Sequence, residues 1–218
     1  VGDKAVHLSN FFEPDNATIV ILATVIVAML YLVKARFKLW GYPLLIFALV
    51  GGGIAAQLPY VSGRIHSYLH PELDLAGKGH QPYQAKIAVG SGGVFGKGVG
   101  QSFQKFNYLP EAASDYIVAI YGEEFGFVGI MVLLVLYMSL VYMGYAIAMR
   151  APTKEGYYLA ATFTFLLMIE SFFNFGVVSG LLPSTGLVLP FFSQGGTSLV
   201  VHGIIIGILG SIATERTA

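Results

Sequence analysis

The sequence predicts an all-α integral membrane protein with about five transmembrane helices and a large loop on the outer face of the membrane. Of its 218 residues, 56% are hydrophobic and only 11% are charged, whereas soluble domains carry about 25% charged residues. The mean hydropathy is +0.71. Five stretches are apolar over lengths near the about 20 residues that a spanning helix needs. They are residues 17–33, 41–60, 116–149, 157–178 and 197–212.

The first three predicted helices differ in how their ends and lengths are set. Helix 17–33 follows the turn-like segment 13–16 (Glu-Pro-Asp-Asn) and contains no charged residue. Helix 41–60 is also apolar, but it contains three consecutive glycines at 51–53. Helix 116–149 is longer than a bilayer requires, so we expect it to tilt or to project beyond the membrane.

The last two predicted helices contain one acid and one histidine, respectively. Glu170 lies within 157–178 and His202 lies within 197–212. Acids inside a membrane are costly, and they usually face a cavity or a partner. Glu170 is therefore either a structural hydrogen-bonding or ion-pairing group between helices or a functional group in a cavity. His202 is predicted to be packed or hydrogen-bonded rather than to be a metal ligand.

The basic residues predict the orientation, because Lys and Arg collect in cytoplasmic loops. They follow the first, third and fifth predicted helices, at Lys34, Arg36, Lys38, Arg150, Lys154 and Arg216. These positions lie on one side of a five-helix arrangement, so loop 61–115 is expected to be extracytoplasmic. We interpret residues 1–218 as a single polytopic domain. Because the chain begins at Val1 rather than Met, we expect it to be part of a longer polypeptide and of a larger helical bundle.

Charge and cysteine content exclude several classes of function. Twelve Lys and Arg residues balance twelve Asp and Glu residues, so no basic surface for nucleic acid is indicated. The absence of cysteine excludes disulfides, thiolate zinc sites and cysteine nucleophiles. The histidines also lack the spacing of a metal site.

Loop 61–115 contains more mixed charges and glycines than a simple connection needs. Within it, the glycine-rich segment 90–100 includes Lys97, a composition that can hold a phosphate through backbone N–H groups. The segment does not match a Walker A loop, because Gly98 stands where Ser or Thr would bind the metal ion. A flexible turn in a solvated loop is the alternative interpretation.

Three of the four acids near the predicted start of helix 116–149 are candidates for one shared face. Glu111 and Asp115 are four residues apart, so they would share a face of a helix that begins at Pro110. Neighbouring carboxylates raise each other's proton affinity, which would help one of them to act as a base. Glu123 returns close to the face of Asp115. The alternative is that the early acids only compensate the helix dipole.

Several segments together resemble one known family. They are Glu13-Pro14-Asp15, Gly90-Ser91-Gly92-Gly93, Leu109-Pro110-Glu111-Ala112-Ala113-Ser114-Asp115, Gly122-Glu123-Glu124-Phe125-Gly126, Gly180-Leu181-Leu182-Pro183-Ser184-Thr185-Gly186 and Pro190-Phe191-Phe192-Ser193-Gln194-Gly195-Gly196-Thr197-Ser198. In this order they resemble the SEDS family of cell shape, division and sporulation proteins (RodA, FtsW and SpoVE), and most of all its division branch, FtsW. By this resemblance the chain is the C-terminal half of the family's length.

The resemblance implies a peptidoglycan glycosyltransferase that polymerises lipid II at the outer face of the bacterial cytoplasmic membrane, in cell division or cell-shape control. Asp115 matches the family's essential acid and would be the general base for the acceptor sugar hydroxyl. The leaving pyrophosphate needs cationic or metal assistance, so a divalent cation is a candidate cofactor, and its identity stays open. The candidate substrate-binding residues are Glu111, Lys97, Lys105, Arg64, Lys86, Glu123, Ser193 and Ser198.

The resemblance also implies partners. These are a class B penicillin-binding protein, other divisome or elongasome proteins, and membrane lipids, with no nucleic acid. One departure concerns the base itself, because Ala113-Ser114 precede Asp115 where the family usually has His-Thr.

Two other functions stay open. A lipid II flippase would depend on Glu170 and its neighbours for lipid movement. A non-catalytic division scaffold would tolerate replacement of Asp115. An enzyme instead requires Asp115 for bond formation.

Overall fold

A computed structural model describes residues 16–38, 40–45, 53, 68, 80–103, 116–183 and 185–215. This part of the chain is helical and contains no strand. Besides the helical residues 40–45, it has five helices, which are α1 (Asn16–Leu32), α2 (His80–Gly92), α3 (Ile117–Arg150), α4 (Lys154–Val178) and α5 (Gly196–Thr214).

Three of these helices, α3, α4 and α5, are long and apolar enough to cross a membrane. The apolar part of α1, Thr18–Leu32, is shorter. Large apolar side chains such as Val135 and Leu136 are more than half exposed along α3, as expected for a surface that faces lipid rather than water. The chain is therefore a multi-pass membrane protein. Most of the predicted helix 41–60 lies outside the described residues, so the count of five spans stays a prediction.

Helix α2 lies inside the segment that the sequence predicts as a loop, 61–115. Its 13 residues are too few and too polar to give a membrane-length hydropathy signal. The helix packs against α3 through small residues, because Ala85, Ala88 and Gly92 are buried. A Cβ atom on Gly92 would lie only 2.1 Å from the carbonyl oxygen of Gly122. Tertiary packing, rather than an apolar run, therefore accounts for this helix.

Helix α3 has 34 residues but is broken at Gly126, whose φ of 68° and ψ of −164° are not helical. The residues after the break, 127–150, would extend about 36 Å at 1.5 Å per residue. That length is close to the thickness of a bilayer core. The break therefore explains why α3 is longer than a membrane requires. The expectation from the sequence was that the extra length would be taken up by tilt or by projection beyond the membrane.

Helix α4 begins three residues earlier than predicted, at Lys154 rather than residue 157. Its N-cap is Thr153, whose hydroxyl oxygen accepts a hydrogen bond from the backbone N–H of Gly156 at 3.1 Å. The first turn is polar, so hydropathy does not detect it, whereas the capping bond stabilises it.

The helices pack around two apolar clusters at opposite ends of the bundle. One cluster joins α2, the start of α3 and the end of α4, and includes Ala88, Ala119 and Val178. The other joins the end of α3, the first half of α4 and the second half of α5, and includes Ala160 and Leu209. The polar groups described next lie at the end of the bundle that carries the first cluster.

Candidate functional site

The most buried acid in the described residues is Glu123, on the short part of α3 before the break. Its side chain is 1% exposed and forms an ion pair of 2.7 Å with Lys97, whose side chain is 38% exposed. The same oxygen, Oε1, accepts from the hydroxyl of Ser91 at 3.3 Å, and Oε2 accepts from the hydroxyl of Ser102 at 2.7 Å. A buried carboxylate needs this kind of hydrogen bonding and charge pairing, because an unpaired charge is costly to bury.

The backbone places Lys97 against Glu123 by docking a loop onto the broken helix. In an unbroken helix, the carbonyl oxygens of Glu123 and Glu124 would accept from residues 127 and 128. Here they accept instead from the N–H groups of Lys97 and Gly98, each at 3.0 Å. Loop residues thus take over two hydrogen-bonding positions of the helix.

The freed helix donors are satisfied by the same loop. The N–H groups of Phe127 and Val128 donate to the carbonyl oxygens of Gly93 and Val94, at 2.9 and 3.1 Å. The four backbone hydrogen bonds between segments 93–98 and 123–128 define what we call the loop–helix junction. The junction leaves little freedom in the backbone at the position of Lys97.

Two glycines of segment 90–100, Gly92 and Gly96, permit this close approach to α3. Gly96 has a φ of 80°, and a Cβ atom on it would lie 2.1 Å from the carbonyl oxygen of Glu124. The N–H groups of Gly96, Lys97 and Gly98 all donate to carbonyl oxygens of α2 or α3. These three amides are therefore occupied, and the phosphate-cradle interpretation of the segment is wrong for them.

Removing the ammonium group of Lys97 is expected to destabilise the protein more than removing the charge of Glu123. Lys97→Met leaves a buried carboxylate without its cation, a change that costs about 3–5 kcal/mol for fully buried pairs. We expect roughly 2–3 kcal/mol, because the Lys97 side chain is 38% exposed. Glu123→Gln keeps a hydrogen-bonding side chain and leaves only a solvated lysine, so about 1–2 kcal/mol is expected.

The apparent Tm of each variant, purified in detergent, shows whether Lys97→Met destabilises the protein more than Glu123→Gln does. Adding Glu123→Gln to Lys97→Met should raise the Tm above that of Lys97→Met alone, because the double variant no longer buries an unpaired charge. Lys154→Met is the matched control, since Lys154 is exposed and makes no ion pair within the described part of the chain. If the decrease in Tm of the double variant equalled the sum of the two single decreases, the predicted coupling between Lys97 and Glu123 would be contradicted.

The connection between α4 and α5 reaches the same end of the bundle. Its backbone is held by the side chain of Asn174, which donates to the carbonyl oxygen of Leu187 at 2.7 Å, and by the hydroxyl of Tyr137, which donates to that of Pro190. The ring of Phe192 meets that of Tyr121 edge-on at 5.4 Å. The connection is thereby fixed against both α3 and α4.

The structure brings together some of the sequence-predicted site residues. Lys97 and Glu123 form the ion pair at the loop–helix junction. Lys86, on α2, lies beside Gly180 in the connection after α4, where a Cβ atom would be 2.5 Å from the lysine Cε. Ser193 has a structural contact, because its hydroxyl oxygen accepts from the backbone N–H of Leu189 at 2.8 Å. Four further predicted site residues lie outside the described residues, and they are Asp115, Glu111, Lys105 and Arg64.

Ser198 belongs to a second polar group, which the sequence indicates only in part. The hydroxyl of Ser198 lies 3.0 Å from Nδ1 of His202, and Nε2 of His202 lies 2.8 Å from Oε2 of Glu170. Glu170 is thus hydrogen-bonded between helices, which is one of the two alternatives left open for it. His202 is packed and hydrogen-bonded, as predicted. Sequence reasoning missed that the two residues are each other's partner. The signal that could have paired them is one acid inside the apolar segment 157–178 and one histidine inside the apolar segment 197–212.

The described residues contain no group of three or more His, Asp or Glu side chains that could hold a metal ion. The pair of His202 and Glu170 has no third such ligand in this part of the chain.

Comparison with known proteins identifies the family. The model of the FtsW, RodA and SpoVE proteins, described as "Cell cycle protein", matches residues 5–218. Stage V sporulation protein E of Bacillus subtilis is 39% identical over 201 residues, which are 92% of this chain and 55% of that protein. A probable peptidoglycan glycosyltransferase FtsW of Trichlorobacter lovleyi is 39% identical over 209 residues, 92% of this chain and 53% of that protein.

The fold has a solved counterpart in a peptidoglycan synthase complex that coordinates polymerization and crosslinking. The similarity has a TM-score of 0.67 at 23% identity, and it covers 93% of this chain and 58% of the solved chain. The chain spans about half the length of the curated relatives that it matches. Because the family model covers nearly the whole sequence, the chain belongs to the FtsW, RodA and SpoVE family of cell cycle proteins.

Proposed function

We propose that the full-length protein is a peptidoglycan glycosyltransferase that polymerises lipid II at the outer face of the bacterial cytoplasmic membrane, in cell division or cell-shape control. Relatives at 38–39% identity are named probable peptidoglycan glycosyltransferases. In this chain the observation that carries the proposal is the polar loop–helix junction at the start of α3. There a buried Glu123 holds Lys97 in place, and the lysine keeps 38% of its side chain exposed.

Asp115 is the proposed general base, and it immediately precedes Tyr116, which is 2% exposed at the start of α3. In the proposed reaction the carboxylate of Asp115 takes the proton of the acceptor sugar hydroxyl as the hydroxyl oxygen bonds to the anomeric carbon of the donor. The bond from that carbon to the pyrophosphate oxygen breaks at the same centre. The lipid pyrophosphate then leaves with the bonding electrons.

The leaving pyrophosphate carries negative charge, which nearby cations stabilise. Lys97 and Lys86 are the described candidates, and Lys105 and Arg64 are further candidates from the sequence. Lys86 makes no ion pair within the described residues, so its charge is available to a ligand. The charge of Lys97 is partly neutralised by Glu123, which favours Lys86 as the stronger pyrophosphate contact of the two. A divalent cation would supply the same electrostatic assistance.

A polymerisation assay tests the proposed function directly. The full-length protein, purified with a class B penicillin-binding protein as partner, is incubated with labelled lipid II, and products are resolved as glycan ladders on a gel. Ladders that require the protein, and that the partner alone does not produce, are the expected result. The absence of ladders, combined with movement of labelled lipid II across vesicle membranes, would favour the flippase, for which the intramembrane Glu170 is the observation in its support.

A further inference from the structure

Ser198, His202 and Glu170 form a continuous hydrogen-bonded chain that runs from one end of α5 into the bundle. Ser198 is the third residue of α5, and His202 lies one helical turn further along. Glu170 lies eight residues before the end of α4, about 12 Å along the helix axis at 1.5 Å per residue. The series of hydrogen bonds therefore begins beside the α4–α5 connection, at Ser198, and ends within the apolar part of α4, at Glu170.

We propose that Ser198 contacts the substrate of the proposed polymerase, and that His202 and Glu170 are positioning residues that fix its hydroxyl group. This inference rests on the proposed function and adds two residues to it that do not themselves touch substrate. It also specifies which chemical group of the substrate Ser198 recognises.

Burial supports a positioning role for His202. The histidine side chain is 4% exposed and that of Glu170 is 18% exposed, so neither presents a large surface to a ligand. Ser198 is half-buried, and it is the member of the chain nearest the end of the bundle. The ring of Phe191, in the α4–α5 connection, packs at 5.3 Å from the imidazole ring and restricts its rotation.

The cost of burying Glu170 and His202 indicates that these hydrogen bonds serve a function rather than only helix packing. An acid and a histidine between membrane helices carry a desolvation cost, and apolar side chains of similar volume would pack there without it. Hydrogen bonds between membrane helices contribute only modestly to stability. A series of hydrogen bonds that ends at the half-buried hydroxyl of Ser198 is better explained by a contact between that hydroxyl and a ligand.

The order of the bonds determines what Ser198 offers to a substrate. In this proposal Nε2 of His202 carries the proton and Nδ1 carries none, because the carboxylate of Glu170 only accepts hydrogen bonds and the tautomer is assigned from the hydrogen-bond network. Nδ1 then carries a lone pair and accepts the O–H of Ser198. With its proton committed to His202, the Ser198 oxygen can only accept from the substrate. It would recognise a sugar hydroxyl or an amide N–H rather than a phosphate oxygen.

Steady-state kinetics of the full-length protein with its partner and lipid II test the inference. Ser198→Ala and the double variant Glu170→Leu/His202→Leu are each expected to raise KM about tenfold, the effect of one lost hydrogen bond. Glu170→Gln should stay within about threefold of wild type, because its amide oxygen still accepts from Nε2–H. The double leucine variant should keep or exceed the apparent Tm of wild type.

Combining the changes shows whether they act through one group. The triple variant Ser198→Ala/Glu170→Leu/His202→Leu should match Ser198→Ala alone, since positioning residues have no effect once the group they position is gone. Ser171→Ala is the matched control, because within the described part of the chain the Ser171 hydroxyl bonds only its own helix, at the carbonyl oxygen of Leu167. The inference would be overturned if the KM increase of the triple variant were the product of the two separate increases, or if the double variant had the KM of wild type.

Nitrogen NMR of the imidazole gives a readout independent of turnover. In protein labelled with ¹⁵N-histidine, the signals lost in the His202→Leu variant belong to His202. Protonation at Nε2 alone is expected, and protonation at Nδ1 would overturn the assigned substrate group. Wild-type protein that makes no glycan ladders would refute the proposed function. Ladders from wild type with unchanged KM in Ser198→Ala would refute only the present inference.

Discussion

The Asp115→Asn variant of the full-length protein is expected to polymerise lipid II at least about 100-fold more slowly than wild type. An asparagine amide has nearly the shape of the carboxylate but cannot take up the proton of the acceptor hydroxyl. General base catalysis contributes about 10²–10⁴-fold to such reactions, which corresponds to roughly 3–5 kcal/mol of the activation barrier. Initial rates of glycan formation, measured with the partner present, give the ratio.

The control for this variant is Glu155→Gln, which removes an exposed acid in the first turn of α4. That turn lies on the predicted cytoplasmic side, so the rate should stay within about twofold of wild type. An equal apparent Tm for wild type and Asp115→Asn separates loss of chemistry from loss of folding. Glycan ladders that persist at the wild-type rate would place the base elsewhere, and Glu111→Gln would be the next variant.

The Gly126→Ala variant is expected to be destabilised by about 3–5 kcal/mol. Gly126 has φ 68° and ψ −164°, a region that is essentially restricted to glycine and costs other residues about 1–3 kcal/mol. The added methyl group would also lie 2.3 Å from the backbone nitrogen of Gly96 and 2.6 Å from the carbonyl oxygen of Val94. Overpacking of this kind costs about 1–3 kcal/mol more.

The backbone cannot relieve this clash without opening the loop–helix junction. The variant should therefore also lose polymerase activity, because Lys97 would move away from Glu123. Gly207→Ala is the matched control, since a Cβ atom on Gly207 meets nothing within 4 Å and alanine favours a helix interior by about 1 kcal/mol. Thermal unfolding in detergent should lower the Tm of the first variant and leave that of the second unchanged or higher. Equal Tm values would contradict the assigned role of the break.

Hydropathy was sufficient to predict the long helices but not the short one. The residues of α1, α4 and α5 differ from the predicted segments by at most three positions at either end, because long apolar runs have few alternatives in a membrane. Helix α2 was not predicted, since its buried face consists of Ala85, Ala88 and Gly92. Small residues give little hydropathy signal, and their value lies in the close approach that they permit to α3.

The composition of the candidate site was predictable, but its pairings were not. Lys97, Glu123 and Ser198 were named from their residue types and motifs. The partners of Glu123, however, lie 21 to 32 residues away along the chain, and His202 lies 32 residues from Glu170. Spacing along a helix predicts contacts only three or four residues apart, so these pairings depend on how the helices pack.

The sequence by itself determined the membrane class, the long helices and the family, because each depends on the order and polarity of neighbouring residues. Only the tertiary structure decided that the glycine-rich segment 93–98 completes the hydrogen bonds of a broken helix, so that the N–H groups of Gly96, Lys97 and Gly98 are occupied. It likewise decided that Glu170, the acid within the apolar part of α4, is hydrogen-bonded to the one histidine of α5. Both outcomes follow from the same physical requirement, since a buried polar group must find a partner, and the fold determines which partner is within reach.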